Sequence, residues 1–107
     1  MTLETDLIVS SFPDNPSNNF IKSIYKLNQK NTPEVGSLSS EEELKSLIKM
    51  SSCCLYVSSQ TIIVGFIICL REGSKYTSKN YNFFTKKFSK FLYIDRIAVE
   101  SSYRRTG

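Results

Sequence analysis

The clearest pattern with chemical meaning lies at the end of the sequence, where an apolar run is followed by arginines and a glycine. Residues 91–99 have the sequence FLYIDRIAV, which is typical of a β-strand, and residues 103–107 have the sequence YRRTG. A strand followed by R-x-x-G is the first part of a turn whose backbone amides can hold a phosphate, because glycine allows close approach and a positive φ. The R-x-x-G pattern alone arises often by chance, so we treat the anion site as a hypothesis.

Basic residues are concentrated in the same part of the chain. The 107 residues have a formal net charge of +4. Residues 1–70 contain five lysines against seven carboxylates, whereas residues 71–107 contain nine lysines and arginines against three carboxylates. This distribution favours an anionic ligand near the R-x-x-G turn, and a solvated basic face is the alternative.

The composition excludes several classes of site. The sequence has no histidine, so Ser-His-Asp, Cys-His and H-E-x-x-H chemistry cannot be built from these residues, and we expect no metal site. The three cysteines, Cys53, Cys54 and Cys69, have no C-x-x-C spacing and are expected to be buried or half-buried thiols in a reducing compartment. No apolar run approaches the ~20 residues of a membrane span and the first residues are acidic, so we expect a cytoplasmic protein that does not enter a membrane.

Hydrophobic periodicity and turn residues predict a mixed α/β domain with the element order β-α-α-β-β-α-β. The predicted strands cover residues 7–12, 53–58, 61–70 and 91–99, and the predicted helices cover residues 18–30, about 40–50 and 81–88. The third strand is almost entirely apolar, as in a central strand buried on both faces. Gly65, within it, indicates a bulge or a close backbone approach.

An acidic run, Glu41-Glu42-Glu43, could form a catalytic acid cluster, but helix-start chemistry explains it without one. Ser39 and Ser40 each have a glutamate three residues later, which is the capping-box spacing. Carboxylates are also favoured at the positive end of a helix dipole. We therefore assign this run to the start of the second helix.

Two longer segments resemble a known family. Residues 104–107 supply the first four positions of the [QR]-x-x-G-x-[GA] motif of the GNAT superfamily of acyl-CoA-dependent N-acyltransferases. Residues 70–84, LREGSKYTSKNYNFF, and the FLYIDRI of residues 91–97 resemble a subfamily of predicted bacterial acetyltransferases that shares R-E-G-x-x-Y-x-S-x-N, an aromatic pair and F-L-Y-[IV]-D-R-I. The resemblance covers essentially the whole chain.

The resemblance implies a GNAT-like, mainly antiparallel sheet with flanking helices, truncated after the fourth strand, so that residues 1–107 form the N-terminal part of one acetyltransferase domain. Acetyl-CoA is the implied co-substrate, and a small-molecule or peptide amine is the implied acceptor. The pantetheine arm would lie along the fourth strand and the pyrophosphate on the turn that follows it. The implied cofactor-binding residues are Ile97, Ala98 and Val99 in the strand and Arg104, Arg105, Thr106 and Gly107 in the turn.

In this family an amine usually attacks the thioester directly, so a base must accept the amine proton. By strand alternation, Tyr93, Asp95, Ile97 and Val99 are expected on one face. Tyr93 and Asp95 are the candidate catalytic residues, with Asp95 the better base because it is a carboxylate.

An ion pair of Asp95 with Arg71 or with Arg96 is the structural alternative to a role as base. The residues predicted to shape the acceptor pocket are Tyr76, Asn80 and Tyr81.

The same resemblance places further elements of the domain after Gly107, so residues 1–107 alone are expected neither to acetylate amines nor to bind acetyl-CoA tightly. A non-catalytic fragment is one alternative, and a single-stranded nucleic-acid-binding module is another. The latter depends on lysines that interleave with aromatics over residues 83–91, although helical spacing favours these aromatics as core and we do not expect nucleic acid as the partner. The sequence leaves a homodimer open.

Overall fold

The predicted element order is confirmed over the part of the chain that the computed structural model describes, residues 7–104. Its regular elements are β1 (Leu7–Ser11), α1 (Asn18–Lys30), α2 (Glu41–Met50), β2 (Cys53–Ser59), β3 (Ile62–Arg71), α3 (Lys79–Lys87) and β4 (Leu92–Val99), followed by a 3₁₀ turn at Ser101–Tyr103. The fold is therefore mixed α/β, as the periodicity predicted.

Each of the three helices in residues 7–104 begins at a serine whose side-chain oxygen accepts the N–H three residues later. These N-caps are Ser17, Ser40 and Ser78. At α2 the Glu43 carboxylate also accepts the backbone N–H of Ser39 at 2.6 Å. The serine caps satisfy amides that would otherwise lack partners in the first turn of each helix. The hydrogen bonds that Ser39 donates from its backbone N–H and its hydroxyl lower the pKa of Glu43. The helix-start assignment of the acidic run is confirmed.

The four strands of residues 7–104 form one antiparallel sheet in the order β1-β2-β3-β4. The register of β2 and β3 shifts beside Gly65, because Val57 pairs with Gly65 and Ser58 with Ile63. A Cβ atom built on Gly65 would lie 3.3 Å from the carbonyl oxygen of Ala98 on β4. Both features predicted for this glycine, a bulge and a close backbone approach, are therefore present.

The helices of the described residues cover one face of the sheet, which we call the inner face. β3 contributes Phe66, Ile68 and Leu70 to this face, where they join one core with apolar residues of the helices and of the loop after α1. Other members of this core are Ile21, Ile24, Leu27, Val35, Leu38, Leu44, Leu47, Tyr81 and Ala98. The opposite, outer face contains apolar side chains that no helix of residues 7–104 covers, among them the exposed Ile97.

The prediction that β3 is a central strand buried on both faces is confirmed for most of its length, since β3 lies between β2 and β4 and residues 64–66 and 68–70 are buried. On its outer face, Cys69 is buried between neighbouring strands rather than beneath a helix.

No helix within residues 7–104 combines the length and the apolar character that a bilayer crossing requires.

Candidate functional site

The site is organised around β4, whose far edge pairs with no other strand in residues 7–104. The N–H of Glu100 donates to the Val64 carbonyl of β3 at 2.8 Å, which fixes the direction of the backbone at this end of β4. Backbone groups alternate along a strand, so Ala98 also faces β3 while Ile97 and Val99 face the open edge. Consistent with this, the Val99 carbonyl accepts a hydrogen bond from Arg104 Nε at 3.3 Å.

The predicted common face of Tyr93, Asp95, Ile97 and Val99 is wrong, because β4 contains a bulge. Ile68 of β3 pairs with Arg96 and the next residue, Cys69, pairs with Ile94, which leaves Asp95 as the extra residue. Asp95 and Arg96 both lie on the inner side, and the alternation reverses after them. Ile97 is consequently 58% exposed on the outer face, opposite to Tyr93.

Asp95 forms a buried ion pair with the arginine that follows it. Arg96 Nε lies 2.8 Å from Asp95 Oδ2, and the two side chains are 8% and 5% exposed, respectively. Arg71, the other arginine considered, instead contacts Glu72 at 3.4 Å. Of the two ion pairs that the sequence left open, the structure contains the Asp95–Arg96 pair.

Arg96 also ties β4 to α1 and to the loop between α1 and α2. Its Nη1 donates to Asn28 Oδ1 and to the Gly36 carbonyl, both at 2.9 Å. Asn28 Nδ2 donates to the same carbonyl at 3.1 Å. Within residues 7–104 no buried side-chain nitrogen or oxygen lacks a hydrogen-bond partner. The pair is thus embedded in a fully satisfied polar network, which is the condition under which a buried charge is tolerated.

Tyr76 closes the other side of the Asp95 carboxylate. Burial, together with a hydrogen bond to Asp95 and the charge of its carboxylate, raises the pKa of Tyr76 to about 12. The Tyr76 hydroxyl therefore keeps its proton at neutral pH and acts as a donor to Asp95. The Asp95 side chain is only 5% exposed, so an incoming amine reaches the carboxylate only if a neighbouring side chain moves.

Tyr81 lies beneath this region as a buried structural residue. Its hydroxyl donates to the Arg71 carbonyl at 2.5 Å and accepts the N–H of Ser74 at 2.9 Å. Its ring makes edge contacts with Tyr76 at a centroid distance of 5.8 Å and with Tyr93 at 5.7 Å. These contacts hold the 71–81 segment against β4.

Of the predicted catalytic and acceptor residues, the structure therefore brings Tyr76, Tyr81, Tyr93 and Asp95 together. Asn80 instead lies exposed in the first turn of α3.

The end of β4 leads into a cleft beside the C-terminal end of α1, lined by Lys30, Asn31, Glu100, Ser101 and Arg104. Arg104 Nη2 donates to Asn31 Oδ1 at 2.7 Å, and Lys30 contacts Glu100 at 3.4 Å. Two cations against one carboxylate make this cleft suited to an anion. The predicted turn residues Arg105, Thr106 and Gly107 lie outside the described residues.

The expectation that helical spacing places the aromatics of residues 83–91 in the core is wrong for two of them. Phe83 and Phe88 are 54% and 50% exposed, whereas Phe84 lies between them and packs on Tyr93. α3 has nine residues and fully buries only Tyr81. A helix with so narrow a buried face leaves Phe83 and the following Phe88 exposed to solvent. The Lys87 ammonium lies 5.5 Å from the centre of the Phe83 ring.

The sequence did not predict that Asn28 and Arg96 belong to one hydrogen-bond network. Asn28 lies seven residues after Ile21 on the buried stripe of α1, and both are almost completely buried. A polar residue on an apolar stripe requires a buried partner, so this position was the available signal. The partner itself lies 68 positions away and no local pattern identifies it.

Comparison with protein-family models and with curated proteins finds no match for this chain. Within the described residues, no group of three or more Cys, Asp or Glu side chains is arranged to hold a metal ion.

Proposed function

We propose that this chain contributes to an acyl-CoA-dependent N-acetyltransferase of the GNAT type, with acetyl-CoA as co-substrate and a small-molecule or peptide amine as acceptor. The main support is the open edge of β4, where Ile97 and Val99 face outward and the strand leads directly to Arg104. The element order and the antiparallel sheet are consistent with this proposal.

An extended ligand with amide groups can bind such an edge as an added strand would. Main-chain hydrogen bonds then provide affinity, and neighbouring side chains provide specificity. The pantetheine arm of acetyl-CoA has this character, and Ile97 and Val99 offer the required backbone groups. Arg104 and Lys30 place positive charge at the end of the strand where the phosphates would lie.

The proposed reaction is direct transfer of the acetyl group. The amine nitrogen bonds to the thioester carbonyl carbon, the carbon–sulfur bond breaks, CoA leaves as a thiolate that takes up a proton, and the amine loses a proton. Asp95 is the proposed acceptor of that proton and Tyr93 the second candidate. Tyr76 is the proposed hydrogen-bond donor that positions the Asp95 carboxylate, and this contact, together with burial, raises the pKa of Tyr76 to about 12.

The test is a titration of the isotope-labelled chain with acetyl-CoA and with CoA, monitored by backbone amide NMR shifts, which detect weak binding. We expect the largest shifts at Ile97, Val99 and Arg104. In Ile97→Pro the outward N–H is lost without removing a bond to β3, since proline is tolerated where the N–H of an edge strand faces solvent. This variant should lose the response.

Leu92→Pro is the matched control, because Leu92 is the first residue of the same strand, where proline is also tolerated, and lies far from Arg104. It should bind as the unmodified chain does. An unchanged response in Ile97→Pro, or shifts located elsewhere than on β4, would refute binding along this edge.

One observation favours a second candidate function, binding of single-stranded nucleic acid. Exposed aromatic rings beside lysines can stack on bases while the lysines contact phosphates, and Phe83, Phe88 and Lys87 have this arrangement. Anisotropy of a labelled oligouridine should then rise with added protein at low salt and fall as salt increases. Phe83→Ala should weaken this binding, whereas Ile62→Ala, at an apolar position away from α3 that is also more than half exposed, should not.

A further inference from the structure

Two of the three cysteines lie opposite each other on neighbouring strands. Cys53 begins β2 and pairs in register with Cys69 near the end of β3. Both side chains lie on the outer face of the sheet, since the residues next to them, Cys54 and Ile68, pack into or against the inner core. The register thus places two thiols side by side although they are 16 positions apart in the sequence.

The spacing of this pair is close to that of a disulfide. The Ser52 N–H donates to the Cys69 carbonyl at 2.9 Å, so the Cys69 backbone faces β2 and the two cysteines form a hydrogen-bonded pair. The Cα atoms of such a pair lie about 5.5 Å apart, and the Cβ atoms lie at the wide end of roughly 4.5–5.5 Å. A disulfide requires about 3.5–4.5 Å, with Cα atoms usually about 4.4–6.8 Å apart. The Cα spacing is within the disulfide range, whereas the Cβ atoms must approach by about 1 Å, a movement we locate at Cys53 because it is the first residue of β2.

The third cysteine has a different environment. Cys54 points to the inner side, and its Sγ lies 2.8 Å from the Ser51 hydroxyl. Burial raises the pKa of the Cys54 thiol as it does that of Cys69, so the face of the sheet, and not thiol acidity, distinguishes the two. Cys54 therefore provides an internal control, adjacent in sequence but on the other face.

The two opposed thiols are unequal in access. Cys53 is exposed, which corrects the expectation that all three cysteines are at least half-buried, whereas Cys69 is only 4% exposed. Burial and then the nearby Cys53 raise the pKa of Cys69, which therefore remains a protonated thiol. A solvent oxidant thus meets Cys53 first, with Cys69 placed to react second.

We propose that Cys53 and Cys69 form an oxidisable dithiol site that reacts with a hydroperoxide and closes into a cross-strand disulfide. The Cys53 thiolate attacks the peroxide, a sulfur–oxygen bond forms, the oxygen–oxygen bond breaks, and an alcohol or water leaves. The Cys69 sulfur then attacks the Cys53 sulfur, the sulfur–sulfur bond forms, and the oxygen leaves as water. The dithiol loses two electrons to the peroxide, and both thiol protons end in the products.

The experiment exposes the reduced 107-residue chain to one equivalent of hydrogen peroxide, then measures intact mass and counts the remaining thiols with a maleimide. We expect the loss of two hydrogen masses and one free thiol left. Digestion after Tyr56 and Phe66 separates Cys69 from the other two cysteines, so the bridged peptides can be identified. Cys54→Ser should form the same bridge with no thiol left, and Cys53→Ser and Cys69→Ser should not form it.

Circular dichroism of the reduced variants shows whether each one folds, and a variant that does not fold is replaced by the corresponding alanine variant. A bridge involving Cys54, or a dimer linked between chains, would overturn the proposal. Accumulation of sulfinic acid at Cys53 while Cys69 stays reduced would overturn it as well, because it would show that Cys69 cannot reach its partner.

Discussion

Replacement of Arg96 by methionine removes the guanidinium of the buried ion pair and keeps an unbranched side chain. The guanidinium binds Asp95, Asn28 and the Gly36 carbonyl, and the Asp95 side chain is 5% exposed. In the variant the carboxylate loses its cation while the surrounding protein still excludes water. Breaking a buried pair in this way costs about 3–5 kcal/mol. Since native domains are stable by only about 5–15 kcal/mol, we expect a large part of the stability to be lost.

Urea unfolding followed by circular dichroism, with linear extrapolation to water, measures this loss. Arg71→Met is the matched control, because Arg71 lies 3.4 Å from Glu72 with its side chain 55% exposed. An exposed pair of this kind contributes about 0–1 kcal/mol, so the control should unfold close to the unmodified chain. The difference in unfolding free energy between Arg96→Met and Arg71→Met therefore measures the effect of burying the ion pair, because both changes remove one arginine charge.

A double variant tests whether the uncompensated carboxylate causes the loss. Asp95→Asn with Arg96→Met removes both charges, so it should be more stable than Arg96→Met alone, with a coupling free energy on the order of 1–3 kcal/mol. Equal losses for Arg96→Met and Arg71→Met, or strictly additive losses for the two changes at residues 95 and 96, would refute the reasoning.

Three further predictions concern local features. Ser40→Ala removes the cap of α2 and should cost about 1 kcal/mol in urea unfolding, whereas Ser46→Ala, at an exposed position inside the helix, should be close to neutral; equal effects would refute the capping argument. Gly65→Ala places a Cβ atom 3.3 Å from a backbone oxygen of β4 and should cost about 1–3 kcal/mol, while Gly36→Ala, whose nearest atom is 4.0 Å away, should cost clearly less. The pKa of Tyr76 is raised from 10.0 to about 12, so the folded protein keeps this proton at a pH where the unfolded chain has lost it. The free energy of unfolding should therefore decrease as the pH rises from about 10 to about 12. Tyr76→Phe should reduce that alkaline loss, and an unchanged slope of stability against pH would contradict the assignment.

The elements of the fold were predictable because their signals are local. The serine caps, the apolar stripes of α1 and α2, and the alternation of the strands all lie within a few residues of one another. The antiparallel order of the sheet follows the chain order, which is the simplest arrangement for strands joined in sequence. Element boundaries consequently agree to within one or two residues.

The candidate site was less predictable because its decisive contacts are distant in sequence. The choice between Arg71 and Arg96 as partner of Asp95 depends on which side of the sheet each arginine faces. Strand alternation gave the wrong face for Ile97 and Val99, since the bulge that reverses it is set by pairing with β3. Similarly, the opposition of Cys53 and Cys69 is a consequence of register and has no signature along the chain.

The bulge in β4 has a physical reason that connects these features. With uninterrupted alternation from Tyr93, Ile97 would point inward and Arg96 and Ala98 would point to the open outer face. The extra residue instead turns Ala98 inward, where it is 1% exposed in the core that α1 shares with the sheet. A larger isoleucine at that place would overpack the core. The same shift brings Arg96 to the inner side, within reach of Asn28 and Gly36, so one irregularity in the strand both fits the core beneath α1 and creates the buried polar network around Asp95.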